Sequence, residues 1–204
     1  MDASQVTLLR ELLADTPWVE RADGLAGALR RSVTRSGAAG PGGLLLVGTE
    51  HEDPWHLAAH LDDESRWADL PELAPVLVRH RVPEGAPPHL AVPLSRLERT
   101  RRGETVFVVA DAPAGEGLLQ RVHDARRTGA TVLALDGGAA GLAEVAHECL
   151  TLDQSAPAGQ PPSPTFELTQ HLVSAAAGAA PRRGLRAVLA RIGRQLAQPP
   201  ALRW

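Results

Sequence analysis

Six consecutive apolar or β-branched residues, Thr105-Val106-Phe107-Val108-Val109-Ala110, constrain this chain more than any other feature. No polar residue alternates along the run, so both faces of the strand must be covered, as in the middle of a parallel sheet. Asp111-Ala112-Pro113 closes it. Residues 114–128 then follow the helical period, with Leu118, Leu119, Val122 and Ala125 on one side and Gln120, Arg121, Asp124 and Arg127 on the other. Gly129 stops that helix. Thr131-Val132-Leu133-Ala134-Leu135 repeats the strand pattern and ends at Asp136-Gly137-Gly138. Strand, helix and strand at this spacing predict a right-handed βαβ unit, and open α/β sheets hold ligands beyond the carboxyl ends of such strands.

The same reading extends along the chain. Gly43-Leu44-Leu45-Leu46-Val47-Gly48 predicts a first strand ending in glycine. The loop Thr49-Glu50-His51-Glu52 leads to Asp53-Pro54, where Asp as N-cap and Pro at the first helical position predict a helix carrying Trp55, Leu57, Ala58 and Leu61. A helix start beside a strand end makes an anion-friendly corner, because unpaired backbone N–H groups point out of it. Residues 75–80 read as a second strand, 90–92 as a short extended piece, and Ser95-Arg96-Leu97-Glu98 as a capping box opening a short helix. Later come a short helix over 141–148, a last strand over 149–152, a Pro-rich loop over 154–164 and a helix over 165–177. Two amphipathic helices, 4–15 and 19–36, precede the first strand. A basic one over 181–198 follows, with Arg182, Arg183, Arg186, Arg191 and Arg194 beside a stripe of Leu185, Val188, Leu189, Ile192 and Leu196. The expected organisation is a helical N-terminal extension (1–40), an α/β domain (41–180) and a basic C-terminal helix (181–204).

Composition removes several classes of chemistry. There is no Lys and no Tyr, and all 21 basic side chains are Arg. Schiff-base catalysis by lysine and P-loop phosphoryl transfer are therefore excluded. The net charge of -3 argues against nucleic acid as a partner. No apolar stretch approaches the roughly 20 residues needed to span a bilayer. Met1-Asp2-Ala3-Ser4 has neither the basic nor the apolar region of a secretion signal. With a single cysteine, Cys149, a cytoplasmic location is expected.

Beyond these patterns the chain resembles the SIS (sugar isomerase) domain family. The resemblance is carried by the 105–111 strand with its helix ending in Arg126-Arg127-Thr128-Gly129-Ala130, by Gly141-Leu142-Ala143-Glu144-Val145-Ala146-His147-Glu148-Cys149-Leu150-Thr151-Leu152, and by the helix from Phe166. The second segment is similar to the family's "spLaeiAdevltl" passage, and the resemblance covers residues 44–177. It implies a five-stranded parallel sheet sandwiched by helices, of flavodoxin type. It also implies a phosphosugar site, frequent dimerisation, and a role as isomerase or as sensor.

Two turns depart from the family pattern. Where the family places a hydroxyl-rich S-x-S-G-x-T turn for the phosphate, this chain reads Asp111-Ala112-Pro113-Ala114-Gly115-Glu116-Gly117. The first-strand turn reads Gly48-Thr49-Glu50-His51-Glu52, keeping one hydroxyl and adding acids. Phosphate would meet like charge without the usual neutral donors. The expectation is thus a non-catalytic SIS-like module that binds a sugar-related ligand, such as a sugar phosphate or nucleotide sugar, or acts through dimer or partner contacts. The alternative is a phosphosugar isomerase with an atypical site, using Glu50, His51 or Glu52 as base. Candidate ligand-binding residues are Gly48, Thr49, Glu50, His51, Glu52, Asp111, Ala112, Gly115, Glu116 and Asp136. A competing role for Asp111 and Asp136 is to tighten turns. His56 and His60 stand four residues apart, as zinc ligands do on helices, but with no Cys nearby and no H-E-x-x-H they read as a solvated helix surface. No metal and no cofactor is expected.

Overall fold

The computed structural model describes residues 16–35, 37–138, 141–152 and 164–179, together with Leu8, Glu11 and Leu13. Most of the expected 4–15 helix, the expected 154–164 loop apart from Pro164, and the whole of the expected 181–198 helix lie outside the described residues.

Six parallel strands form one sheet: β1 (Leu44–Val47), β2 (Val76–Arg79), β3 (Val92–Pro93), β4 (Thr105–Ala110), β5 (Thr131–Asp136) and β6 (Glu148–Thr151), in the order β3-β2-β1-β4-β5-β6. Five of these are the expected strands. The sixth, β3, is a two-residue edge that pairs Val92 with Val78 and Pro93 with Arg79. Pro93 has no N–H to offer and is tolerated only because nothing pairs beyond it. Without β3, the remaining strands counted along the chain take the flavodoxin-type order 2-1-3-4-5. Register is continuous across the centre: Leu46 faces Phe107, Phe107 faces Leu133, and Ala110 faces Asp136.

Among the described residues, the α-helices that flank the sheet are α1 (Pro17–Thr34), α2 (Trp55–Trp67), α3 (Glu116–Arg127) and α4 (Phe166–Gly178). Strand alternation splits the core into two layers. Leu44, Leu46, Phe107, Val109, Leu133 and Leu135 face α1, α2 and α4. Leu45, Val47, Val106, Val108, Val132 and Ala134 face Leu118, Val122 and Ala125 of α3. Residues of β1 and β4 are buried on both sides, which explains the unbroken apolar runs.

Helix α1 is part of this core. Its Trp18, Ala22, Leu25, Ala26, Leu29 and Val33 recur at helical spacing and are all buried. The start is set by Thr16, whose Oγ1 accepts from the Trp18 N–H at 3.4 Å, and by Pro17 at the first helical position. Arg30 donates to the Ala177 carbonyl near the end of α4 (2.9 Å), and Arg21 donates to the Thr151 carbonyl of β6 (2.8 Å). The apolar stripe of this helix is therefore covered by its own chain rather than left open to a partner.

Helix α3 ends in a Schellman turn. Gly129 takes φ +94°, its N–H bonds the Arg126 carbonyl, and the Ala130 N–H bonds the Ala125 carbonyl. Three local expectations are corrected. Asp53 does not cap α2: Pro54 holds the N-cap position without a side-chain bond, and Asp53 turns instead to Arg79 at 3.6 Å. The capping box at Ser95 does not form, because residues Leu94–Arg99 make a 3₁₀ helix behind Pro93, and Glu98 pairs with Arg121 at 3.0 Å. The helix expected over 141–148 is a single 3₁₀ turn, Leu142–Glu144. Among the described residues, no helix is long and apolar enough to cross a membrane.

Candidate functional site

Strand order reverses between β1 and β4: the chain adds β2 and β3 on one side of β1, then returns to add β4, β5 and β6 on the other. Beyond the carboxyl ends of two such strands no crossover helix fills the space, and a crevice results. Here it is shaped by two glycines. A Cβ on Gly48 would lie 2.0 Å from the Glu52 carbonyl oxygen and 2.6 Å from Pro54 Cδ. Only glycine lets the 49–54 loop fold back onto the end of β1, where the Thr49 N–H bonds the Glu52 carbonyl at 3.1 Å. His80 Nε2 donates to the Gly48 carbonyl at 3.1 Å from the end of β2. At the end of β5, a Cβ on Gly137 would lie 2.4 Å from Asp111 Oδ1. Asp111 is thus held at the tip of β4.

The result is a cleft of about 220 Å³ between the β1 loop, the tip of β4 and the first turns of α2 and α4. Its polar lining is mostly acidic: Glu52, Asp53, Asp111 and Glu167, with the Gln170 amide and the His56 imidazole. No arginine is among its lining residues. Trp55 lines it as well, with 63% of its surface exposed and its ring stacked on His56 at a centroid distance of 5.5 Å.

Of the ten residues singled out from sequence, Glu52 and Asp111 line this cleft. Asp136 is buried and bound to its own turn, with Oδ1 accepting from the Gly138 N–H (2.7 Å) and Oδ2 from the Leu142 N–H (3.2 Å). Glu50 pairs with Arg81 at 3.0 Å on the surface, and His51 is exposed. Thr49 and Gly48 are buried beneath the loop. Gly115 is the N-cap residue of α3, Glu116 stands exposed in its first turn, and Ala112 is half-buried in the turn after β4. The other seven lining residues, Asp53, Pro54, Trp55, His56, Phe166, Glu167 and Gln170, are not among those candidates. Sequence places Trp55 among the apolar residues of its helix and does not show that the indole is exposed, and the α4 residues come from a distant part of the chain.

Beside the cleft lies a histidine cluster. His56 and His60 of α2 approach with their Nε2 atoms 2.9 Å apart. His171 of α4, 6% exposed, completes it, with ring centroids 4.9 Å from His56 and 4.5 Å from His60. The solvated helix surface expected for His56 and His60 is corrected: both rings are half-buried against α4. Glu167 Oε1 stands 3.8 Å from His56 Nδ1. Burial first, then the fields of His60 and His56, lower His171 to about 4. Burial, then His56, lowers His60. A charged ring loses hydration there and gains a like-charged neighbour, so His171 is neutral at pH 7.

No protein-family model matches the chain, and no curated protein matches it in sequence. One of the solved structures similar to it is described as a "Putative sugar binding protein from Salmonella typhimurium LT2". The two are 17% identical with a TM-score of 0.40, and the match takes in 90% of this chain but spans only half, 50%, of the other.

Proposed function

We propose that the chain is a non-catalytic, SIS-like module that holds a hydroxyl-rich, sugar-related ligand without phosphate in the cleft at the β1/β4 reversal. The observation that carries this reading is the convergence of Glu52, Asp111, Glu167 and Gln170 beside the exposed Trp55 ring. Carboxylates and an amide oxygen accept hydrogen bonds from sugar hydroxyls, and charge-assisted bonds of this kind are the stronger class. The indole offers a flat apolar face to the C–H side of a sugar ring. The same acids repel phosphate, with no arginine in the lining to offset them.

Catalysis is not part of this reading. Aldose–ketose interconversion needs a base poised over the reacting carbon and a donor for the oxygen. Here the chain has neither lysine nor tyrosine, and the donors beside the acids are the Gln170 amide and the His56 ring. The rival isomerase reading would make Glu52 the base, since of the candidates Glu50, His51 and Glu52 it is the one that lines the cleft.

A thermal-shift panel of neutral sugars, amino sugars, their phosphates and nucleotide sugars tests the assignment. A ligand at 100 times its Kd adds about 2.7 kcal/mol of stability, a rise of about 5–11 °C for a chain this size. Unphosphorylated sugars are expected to give the larger shifts. A phosphate ester that shifts the wild type more than its parent sugar contradicts the proposal.

A further inference from the structure

Two helices that meet beside the cleft contribute three imidazoles to one spot. One ring nitrogen from each of His56, His60 and His171 lies within 4.8 Å of the other two, the one such group of His, Cys, Asp or Glu found among the described residues. Filling a helix contact with three rings that each carry polar nitrogens is costly when apolar side chains would pack there freely. We propose that His56, His60 and His171 form a binding site for a divalent transition-metal ion, zinc or a first-row neighbour. This site shares His56 and Glu167 with the cleft but does not depend on the sugar-related reading.

Residue type, spacing and surroundings agree. Imidazole is the ligand suited to zinc, nickel, copper and iron. The i, i+4 pair on α2 presents two rings on one face, and α4 brings the third from across the contact. A tetrahedral ion with Zn–N bonds of about 2.0–2.1 Å places its ligand nitrogens about 3.3 Å apart. The His56–His60 pair already stands at 2.9 Å, and ring rotations draw the third nitrogen in. Glu167 is placed to supply an outer contact: its Oε1 stands 3.8 Å from Nδ1 of His56, a gap a small rotation would close to a hydrogen bond, while Nε2 of the same ring faces His60. A carboxylate on the non-ligating nitrogen fixes the tautomer and orients the ring toward a metal. Three protein ligands leave a fourth position open for water or a ligand oxygen. His56 also lines the cleft, so the ion would stand at the cleft wall.

The test uses tag-free, full-length protein stripped with chelator. It is titrated with Co²⁺ while the visible bands of tetrahedral cobalt are followed, then with Zn²⁺ in competition. One ion per chain is expected. Loss of a ligand in His60→Ala or His171→Gln should weaken binding by more than the effect of Glu167→Gln, for which about 10- to 100-fold is expected. His123→Ala, on the exposed side of α3, should bind like the wild type. Because His171→Gln alters a buried residue, His56→Ala, at a half-exposed position, is measured alongside, with circular dichroism as the check on folding. A wild-type Kd weaker than about 100 μM overturns the proposal. So does binding that survives unchanged in both His56→Ala and His60→Ala.

Discussion

Replacing Gly48 by alanine adds one methyl group, and the structure says where it goes. The new carbon would stand 2.0 Å from the Glu52 carbonyl oxygen and 2.6 Å from Pro54 Cδ, both fixed parts of the loop. Gly48 is not in the left-handed region, so backbone strain adds nothing and the whole effect is steric. The 49–54 loop must lift, which breaks the Thr49 N–H bond to the Glu52 carbonyl, at about 1 kcal/mol. Forcing an extra carbon into a filled space adds about 1–3 kcal/mol. Together these make about 2–4 kcal/mol, or a Tm lowered by about 4–16 °C at about 2–4 °C per kcal/mol. Gly24→Ala is the control. Gly24 lies in the middle of α1, exposed, with nothing within 4 Å of its added Cβ. There the same methyl should stabilise by about 0.5–1 kcal/mol through helix propensity, raising Tm by about 1–4 °C. Scanning calorimetry on the two variants reads opposite signs from one chemical change. A Gly48→Ala protein that melts with the wild type would refute the folded-back loop and the cleft built on it.

Four further outcomes follow. Val108→Asp places a carboxyl at a fully buried point between Val47 and Ala134 and should leave no cooperatively melting protein, as judged by circular dichroism. The wild type should show no aldose–ketose turnover on hexose or heptose phosphates; a coupled assay reading even the typical ~10 per second would refute the non-catalytic reading. His147 is lowered below its ordinary value by burial and then by Arg126, and its Nδ1 accepts the Val132 N–H at 3.0 Å. The unfolded chain therefore takes up that proton first as pH falls, so this contribution is present above about 6.5 and lost below it; since His60 and His171 act with the same sign, His147→Gln should lessen, not abolish, the fall of Tm with pH in that window. Deleting residues 181–204 should reduce the mass measured by light scattering while preserving the melt, if the basic segment expected to be helical mediates self-association; a full-length protein already monomeric at tens of micromolar contradicts it.

The parts of the fold that could be read from sequence are those where burial acts on consecutive residues. β1, β4 and β5 are enclosed on both faces, so the apolar runs name them directly. β3 is two residues at an edge, held by its neighbour rather than by its own pattern. The amphipathic stripe of α1 was plain, but the stripe does not say whose surface it covers; Arg21 and Arg30 tie it to β6 and α4 of its own chain. Asp53 and Ser95 sit where helix caps belong by sequence, and each was overruled from its surroundings: Arg79 draws Asp53 away, and Pro93 precedes a 3₁₀ turn. In the site, Glu52 and Asp111 were legible because strand ends near a reversal gather ligand contacts. Asp136 shares that position but is consumed by the turn it stabilises. Glu167, Gln170 and His171 reach the site only through the docking of α4, which no local pattern encodes. The pairing of His56 with His60 was visible in the spacing; its significance depends on the third ring.

The most direct measurement of the cleft assignment is calorimetric titration of the strongest unphosphorylated sugar from the panel into the wild type, Trp55→Ala, and a Glu52→Gln/Asp111→Asn double variant. The wild type should bind one ligand per chain. Trp55→Ala should lose the stacking face and the double variant the charged acceptors, each weakening binding at least about tenfold, or 1.4 kcal/mol, with melting behaviour retained. Equal affinity across all three proteins would place the ligand elsewhere and contradict the account.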